Sequence, residues 1–120
     1  MPLSKLADFV RDAEWAVMEA LPRVTCISYG HVGDGNVHLN VLPPWEASDD
    51  EKGAMTAQAK LIIDEMVLLY AGSICAEHGI GRLKRPEFET QMARSHRELL
   101  TAIRRAVDPQ NMLNPGCQIL

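Results

Sequence analysis

The 120-residue sequence lacks several features that would assign a protein to a class at once. Aromatic residues make up only 5% of the chain, and the 12 lysines and arginines are outnumbered by 16 aspartates and glutamates. A net charge of −4 without a basic stripe argues against nucleic acid as a partner, because phosphates need clustered cations opposite them. Long apolar runs are also missing. The most apolar window, residues 62–71, contains two acids, so no membrane span is expected.

Cysteine is scarce. Cys26, Cys75 and Cys117 are odd in number, widely separated and form no CxxC pair, so no disulfide framework is expected. Such usage is typical of a reducing compartment. Residues 1–9 show neither the long apolar run nor the small-residue cleavage site of a secretory signal. We therefore expect a cytoplasmic protein, or one of the mitochondrial matrix if the source is eukaryotic.

The first third of the chain predicts a helix and a hairpin. Apolar residues recur at helical spacing over residues 4–21, where Ser4 can cap the helix and Pro22 ends it. Residues 23–29 are rich in β-branched and aromatic types, and residues 37–42 alternate in polarity, so both segments predict strands. Their connection, GHVGDGN, is longer than a tight two-residue turn, which indicates a loop with a function.

The remainder predicts helices around one short extended segment. Asp49 or Asp50 can cap a long helix that runs to about Tyr70. Residues 73–76 predict a short strand or extended segment, and residues 95–107 predict a final helix. The order helix–strand–strand–helix–strand–helix indicates an α+β fold, in which an antiparallel sheet, half of a ferredoxin-like arrangement, is covered by helices.

Two clusters of residues could carry chemistry. His31 lies in the hairpin loop and His38 on the returning strand, where Asn40 shares its face because side chains alternate along a strand. Imidazole is the commonest metal ligand among side chains, so the two histidines are candidate ligands, although either could be an ordinary hydrogen-bonded histidine. Glu77 and His78, in the glycine-punctuated loop EHGIG, could add a third ligand and a general base.

Basic residues follow the second cluster directly. Arg82, Lys84 and Arg85 could bind an anion beside the loop, although a run of this kind is more often a solvated face. The glycines of both loops could equally serve turns alone.

Three ordered motifs resemble one family. They are GHVGDGNVHLN (residues 30–40), GSICAEHGIGRLKRPEFE (residues 72–89) and DPQNMLNPGCQIL (residues 108–120). Together they resemble the C-terminal signature of the FAD-linked oxidases of the vanillyl-alcohol-oxidase type. That family includes D-lactate dehydrogenases, the glycolate oxidase flavin subunit and D-2-hydroxyglutarate dehydrogenase. The resemblance implies that residues 1–120 are the metal- and substrate-binding portion of a larger flavoprotein, whose FAD-binding domain is not in this chain.

The resemblance also implies roles for individual residues. His31, His38 and Glu77 match the ligands of a divalent metal, typically zinc, and His78 matches the base that takes the proton of the substrate hydroxyl. Asn40 matches a residue near substrate and flavin. The metal would act as a Lewis acid on a D-2-hydroxy acid, which is oxidised to a 2-oxo acid with hydride transfer to the flavin.

Further positions are expected close to the substrate or cofactor. Asn114 matches the asparagine of the terminal NPG segment near the flavin domain, and Arg82 and Lys84 follow the catalytic loop. The sequence departs from the family pattern at Cys75, where a small residue is usual, and at Cys117, where lysine is usual. The second departure removes a positive charge that could contact flavin or substrate.

The expected partners are a small 2-hydroxy acid and an FAD-binding domain or subunit. By itself, the 120-residue chain should be inactive as a dehydrogenase, and its apolar surface would favour self-association, for example as a homodimer. An alternative interpretation is a non-catalytic module, derived from the same domain, that binds a metal or mediates dimerisation.

Overall fold

A computed structural model describes residues 1–117 of the chain. The chain divides into two compact units, Met1–Ala76 and Glu77–Leu120, and the second is described as far as residue 117. Among the described residues there are four α-helices and one two-stranded antiparallel sheet, so the α+β expectation is confirmed. No helix in this part of the chain is both long and apolar enough to cross a membrane. The elements of the first unit are α1 (Leu6–Ala20), β1 (Thr25–Tyr29), β2 (His38–Leu42) and α2 (Asp49–Leu69). Those of the second are α3 (Arg85–Gln91) and α4 (Arg94–Val107).

Helix α1 is stabilised by apolar residues that recur every three or four positions on its covered side, while Trp15 and Met18 are exposed. Leu6, Phe9, Ala13 and Val17 are buried. The predicted cap at Ser4 is wrong, since that residue lies inside a 3₁₀ turn, Leu3–Lys5, which runs directly into the helix. The turn leaves no place for a side-chain cap.

The cap of helix α2 is Ser48, one residue before Asp49 and two before Asp50, the two predicted caps. The Ser48 hydroxyl accepts the amide of Glu51 at 3.3 Å, and the Ser48 amide donates to the Glu51 carboxylate at 2.8 Å, which completes a capping box. These hydrogen bonds, the one from the Ser48 amide above all, lower the pKa of Glu51. Asp49 and Asp50 occupy the first turn instead, where negative charge suits the helix dipole.

One face of the hairpin packs on helices α1 and α2, and the side chains of the other face point away from them. Residues on the inner face include Cys26 and Val41, which contact the core around Val17, Val24 and Ala59. The inner face is also tied to α1 by a hydrogen bond that joins Ser28 to Glu14, with 2.6 Å between the oxygens. The outer face consists of Thr25, Ile27, Tyr29, His38, Asn40 and Leu42.

Residues 73–76, predicted as a short strand or extended segment, do not form a strand. Its backbone is satisfied locally, because the Ser73 hydroxyl accepts the Cys75 amide at 3.3 Å and donates to the Cys75 carbonyl at 2.9 Å. Side-chain bonds of this type compete with sheet ladders. Helix α2 ends just before, where Gly72 packs so closely that an added Cβ would lie 3.0 Å from Met1 and 3.2 Å from Val67.

The second unit has a different basis from the first. Among its described residues the one buried side chain is that of Asp108, and no apolar residue is buried. Helix α4 nevertheless has a strongly amphipathic sequence, with Leu99, Ile103 and Val107 on one side and all three exposed. Its order therefore depends on hydrogen bonds and ion pairs more than on a core.

Candidate functional site

The loop between the strands has one tightly defined backbone path. Gly30 has φ +151°, and a Cβ there would lie 2.6 Å from the Asn36 carbonyl oxygen, so no other residue fits without a shift. The His31 carbonyl accepts the amides of Asp34 at 2.9 Å and Asn36 at 3.2 Å. Gly35, with φ +71°, closes the turn. The loop that carries His31 is therefore braced by its own backbone.

His38 and Asn40 both lie on the outer face of the hairpin, as the strand alternation predicted. His38 pairs with Tyr29 across the ladder, and Asn40 pairs with Ile27. The rings of Tyr29 and His38 are stacked, with 5.1 Å between centroids and 17° between planes. This contact restricts the imidazole plane on a face that points away from the α1–α2 core.

Glu77 and His78 are brought together in the second unit. The His78 Nε2 atom lies 3.3 Å from a carboxylate oxygen of Glu77, and the His78 side chain is 82% exposed. If the carboxylate accepts the proton of Nε2, the lone pair of the neutral ring is on Nδ1. An exposed imidazole that lies beside a carboxylate can accept a proton.

Three other predicted residues lie in the same unit. Arg82 donates from Nη2 to the carbonyl of Pro115 at 3.1 Å, so its guanidinium is tied to the NPG segment next to exposed Asn114. Lys84 is half-buried and precedes α3, and its carbonyl accepts the Phe88 amide at 3.0 Å. Arg82 and Asn114 are therefore neighbours through the tail, while Lys84 serves the start of a helix.

An apolar cavity of about 380 Å³ adjoins the EHGIG loop within the second unit. Gly79 and Ile80 of the loop form part of its wall, and two arginines and one acid are its charged residues. The remaining lining is supplied by Phe88, Leu100, Ile103, Val107 and Leu113. The loop that carries His78 thus borders an apolar space with Arg85, Arg104 and Asp108 in its wall.

The predicted metal ligands come from both units. His31 and His38 belong to the first, and Glu77 belongs to the second. Across residues 1–117, no three His, Cys, Asp or Glu side chains lie close enough together to hold a metal ion. By donor chemistry, two imidazoles and a carboxylate suit zinc or another divalent transition metal, so the residue types fit such an ion.

Comparison with known proteins identifies the family. Residues 1–117 match the family described as FAD linked oxidases, C-terminal domain. The chain belongs to this family. The resemblance seen in the three motifs is therefore confirmed, and it extends over α1 as well.

Relatives of this FAD-linked oxidase domain are hydroxy acid dehydrogenases and oxidases. The D-2-hydroxyglutarate dehydrogenase of Stutzerimonas stutzeri is 35% identical over 114 residues, which are 95% of this chain and 25% of the relative. The D-lactate dehydrogenase of Archaeoglobus fulgidus is 36% identical over 118 residues, with 97% and 24% covered. The glycolate oxidase subunit GlcD of Bacillus subtilis is 29% identical over 118 residues, again with 97% and 24% covered. The chain therefore spans about a quarter of the length of these relatives.

Two groups of residues that contact the predicted site escaped the sequence patterns. Tyr29 stacks on His38, and strand register could have indicated it, since the two residues flank the loop symmetrically. Arg104 and Asp108 contact the tail that carries Asn114. Their spacing of four residues is a helical ion-pair spacing, but nothing in the pattern ties it to the tail.

Proposed function

We propose that this domain is the substrate-binding portion of an FAD-dependent D-2-hydroxy acid dehydrogenase that forms a 2-oxo acid. The observation that carries the proposal is the family match over residues 1–117, which includes both the hairpin and the EHGIG loop. Relatives named as D-2-hydroxyglutarate dehydrogenase, D-lactate dehydrogenase and glycolate oxidase subunit support this substrate class. A bound flavin supplies the hydride acceptor.

The roles of the chain's own residues follow from their contacts. His78 accepts the proton of the substrate 2-hydroxyl as the hydrogen on C2 leaves with its electron pair. Glu77 lies 3.3 Å from His78 Nε2 and orients the ring, and Nδ1 takes the hydroxyl proton. Asn40, on the outer face of the hairpin, hydrogen-bonds substrate or flavin, and Asn114 does so from the tail. Arg82 and Lys84 add positive charge near the substrate carboxylate.

His31, His38 and Glu77 would hold a divalent metal, for which zinc is the best match to two nitrogen ligands and one oxygen ligand. The ion would supply Lewis acidity toward the substrate oxygens. Two features favour the histidine pair: the loop backbone is braced around His31, and the His38 ring is stacked on Tyr29. Ligands fixed before the ion arrives lose less entropy on binding.

Calorimetric titration of the chain with zinc and with manganese tests the metal assignment. The double variant His31→Ala, His38→Ala should bind more than about 100-fold more weakly, beyond the loss typical of an outer-shell contact. His96→Ala is the matched control, because His96 is exposed on α4 and belongs to no predicted site. Equal affinity of the double variant and the original chain would remove the histidines from the ligand set.

Activity can be tested in a chimera in which these residues replace the segment that they match in the Stutzerimonas D-2-hydroxyglutarate dehydrogenase. His78→Gln should lower kcat about 10²- to 10⁴-fold, the usual contribution of a general base. His96→Gln should leave kcat unchanged. A chimera that reduces its flavin with D-2-hydroxyglutarate, glycolate or D-lactate equally well before and after His78→Gln would exclude His78 as the base.

A second candidate is a dimerisation module, which the exposed apolar side of α4 favours. Leu99, Ile103 and Val107 lie in a row there and are all at least half exposed. Light scattering of the purified chain separates the two candidates. A tight dimer that persists in chelator and binds no metal would support the module over the dehydrogenase portion.

A further inference from the structure

The described part of the tail after α4, residues 108–117, has no helix or strand but is densely hydrogen-bonded within the second unit. Asp108 ends the helix, and its carboxylate accepts the amides of Met112 and Leu113, each at 2.8 Å. The Asp108 carbonyl also accepts the Asn111 amide at 3.0 Å. One acidic residue therefore organises the backbone that immediately precedes Asn114.

Arg104 braces the same segment from one helical turn earlier. Its Nη2 atom lies 2.9 Å from an Asp108 carboxylate oxygen, and the two side chains are only 14% and 6% exposed. The same guanidinium nitrogen donates to the Asn111 side chain at 3.1 Å and to the Leu113 carbonyl. Removal of one partner from a buried pair of this kind leaves an uncompensated charge and is strongly disruptive.

Asn114 itself has a defined backbone conformation. Its φ is +48°, a left-handed value that asparagine tolerates better than most residues. Its carbonyl accepts the Cys117 amide at 3.1 Å across a turn in which Gly116 has φ +83°. Arg82 holds the Pro115 carbonyl on the far side of Asn114. The tail is thus fixed both before and after this residue.

We infer that Arg104 and Asp108 are positioning residues, which set the path of the tail and thereby aim Asn114 at the flavin or substrate. Neither residue needs to touch a ligand, since both are hydrogen-bonded to the tail and largely buried. The use of the aimed side chain rests on the proposed function. The contacts of Arg104 and Asp108 with residues 111–113, which we call the clamp, do not rest on it, because this chain alone forms them.

The charge state of the clamp gives a second readout. Burial raises the pKa of Asp108, but the amides of Leu113 and Met112 together with the Arg104 guanidinium outweigh it, and the pKa lies below the ordinary 3.8. Arg85 is the other charged group in the wall of the adjoining cavity. A lowered folded-state pKa means that the clamp is complete above pH 3.8 and is lost as the pH falls further.

The first experiment follows amide hydrogen exchange by NMR in the 120-residue chain. Asp108→Asn should speed exchange at Met112 and Leu113 about 10- to 100-fold, as expected for loss of charge-assisted hydrogen bonds, and should shift the side-chain amide resonance of Asn114. Glu98→Gln is the control, because it breaks an exposed ion pair with Arg94 on the same helix. Ladder amides of β1 and β2 should not change in either variant.

Two further measurements keep the result interpretable. Arg104→Lys is a milder variant that can replace Asp108→Asn if the latter unfolds the unit. It retains the charge but not the planar fork, so it should have an intermediate effect on the tail amides. In the original chain, the Met112 and Leu113 amide shifts should titrate together below pH 3.8, and Asp108→Asn should abolish this titration. Unchanged exchange in both variants, or a titration that survives Asp108→Asn, would overturn the inference.

A double-mutant cycle in the chimera tests the catalytic purpose. Asp108→Asn and Asn114→Ala should lower kcat by similar factors, and the double variant should lose little more, because residues that act through each other are not additive. Additive losses would overturn the link between clamp and Asn114. An inactive chimera would count against the proposed function, while the exchange data would still decide whether the clamp orders the tail.

Discussion

The two units of the chain are stabilised in different ways. All eight buried apolar residues of the described chain belong to Met1–Ala76, where α1, α2 and the inner face of the hairpin form two core clusters that both contact Ile63. In the described part of Glu77–Leu120, Asp108 is the sole buried residue, and the apolar side of α4 is exposed. One unit is held by packing, and the other is held by ion pairs and backbone clamps.

This difference separates two kinds of site support. The hairpin presents His38 and Asn40 from strands backed by a packed core, and such elements hold side chains precisely. The second unit presents His78 and Asn114 from loops, whose order depends on a few polar contacts. The apolar side of α4 is exposed and adds no packed support to these loops.

The largest predicted effect tests the packed core. Phe9 is 3% exposed and meets the ring of Tyr70 edge to face, with 5.7 Å between centroids. Phe9→Ala should lower the free energy of unfolding of the first unit by about 3–5 kcal/mol, through lost burial and a residual cavity. Urea denaturation followed by tryptophan fluorescence is the appropriate measurement, because both tryptophans, Trp15 and Trp45, lie in this unit.

Two matched variants sharpen the contrast. Leu61→Ala, at a position 63% exposed on α2, should change the unfolding free energy by less than about 0.5 kcal/mol. Ile103→Ala on α4 should leave the fluorescence midpoint unchanged and alter helix content only slightly. A large loss of first-unit stability from Ile103→Ala would break the distinction between the two units.

The sequence predicted elements that local patterns determine and missed those that depend on partners. Both hairpin strands appear within two residues of their expected starts, because alternation and β-branched residues act locally. Ser48 caps α2 because a capping box requires Glu or Gln three positions after the cap, and Glu51 meets this requirement for Ser48. Neither adjacent aspartate has such a residue three positions later. The extended segment at residues 73–76 found no partner strand among the described residues.

The site shows the same limit. Alternation alone placed His38 and Asn40 on one strand face, and adjacency alone suggested Glu77 beside His78. The stack of Tyr29 on His38 depends on strand register, and the clamp from Asp108 to the tail depends on a chain reversal. The spacing of the residues along the sequence predicts neither the ring stack nor the bonds from Asp108 to the tail. Common ion-pair spacings, such as that of Arg104 and Asp108, carry no information on what else the pair holds.

A smaller effect is predicted in the hairpin loop, where the first unit's packing is replaced by a backbone constraint. Gly30→Ala should destabilise the first unit by about 1–3 kcal/mol, the cost of a strained backbone position, because its Cβ would meet the Asn36 carbonyl at 2.6 Å. Gly33→Ala is the control, since nothing lies within 4 Å of its Cβ and its φ is not left-handed. Equal effects at the two glycines would mean that the loop path is not constrained as described. Urea denaturation of both variants measures this.

The smallest predicted effect concerns the ring stack, which should influence the site without influencing the fold. Tyr29→Leu should weaken zinc binding by the chain about 3- to 10-fold, because an aromatic pair is worth roughly 0.5–1.5 kcal/mol and here restrains the His38 imidazole. Tyr29→Phe keeps the stacked ring and should bind zinc as the original chain does. Calorimetry gives the affinity, and the ring-current shift of the His38 protons reports the stack even if zinc does not bind. Loss of that shift in Tyr29→Leu with unaltered zinc affinity would show that the stack packs the hairpin surface and does not organise a ligand.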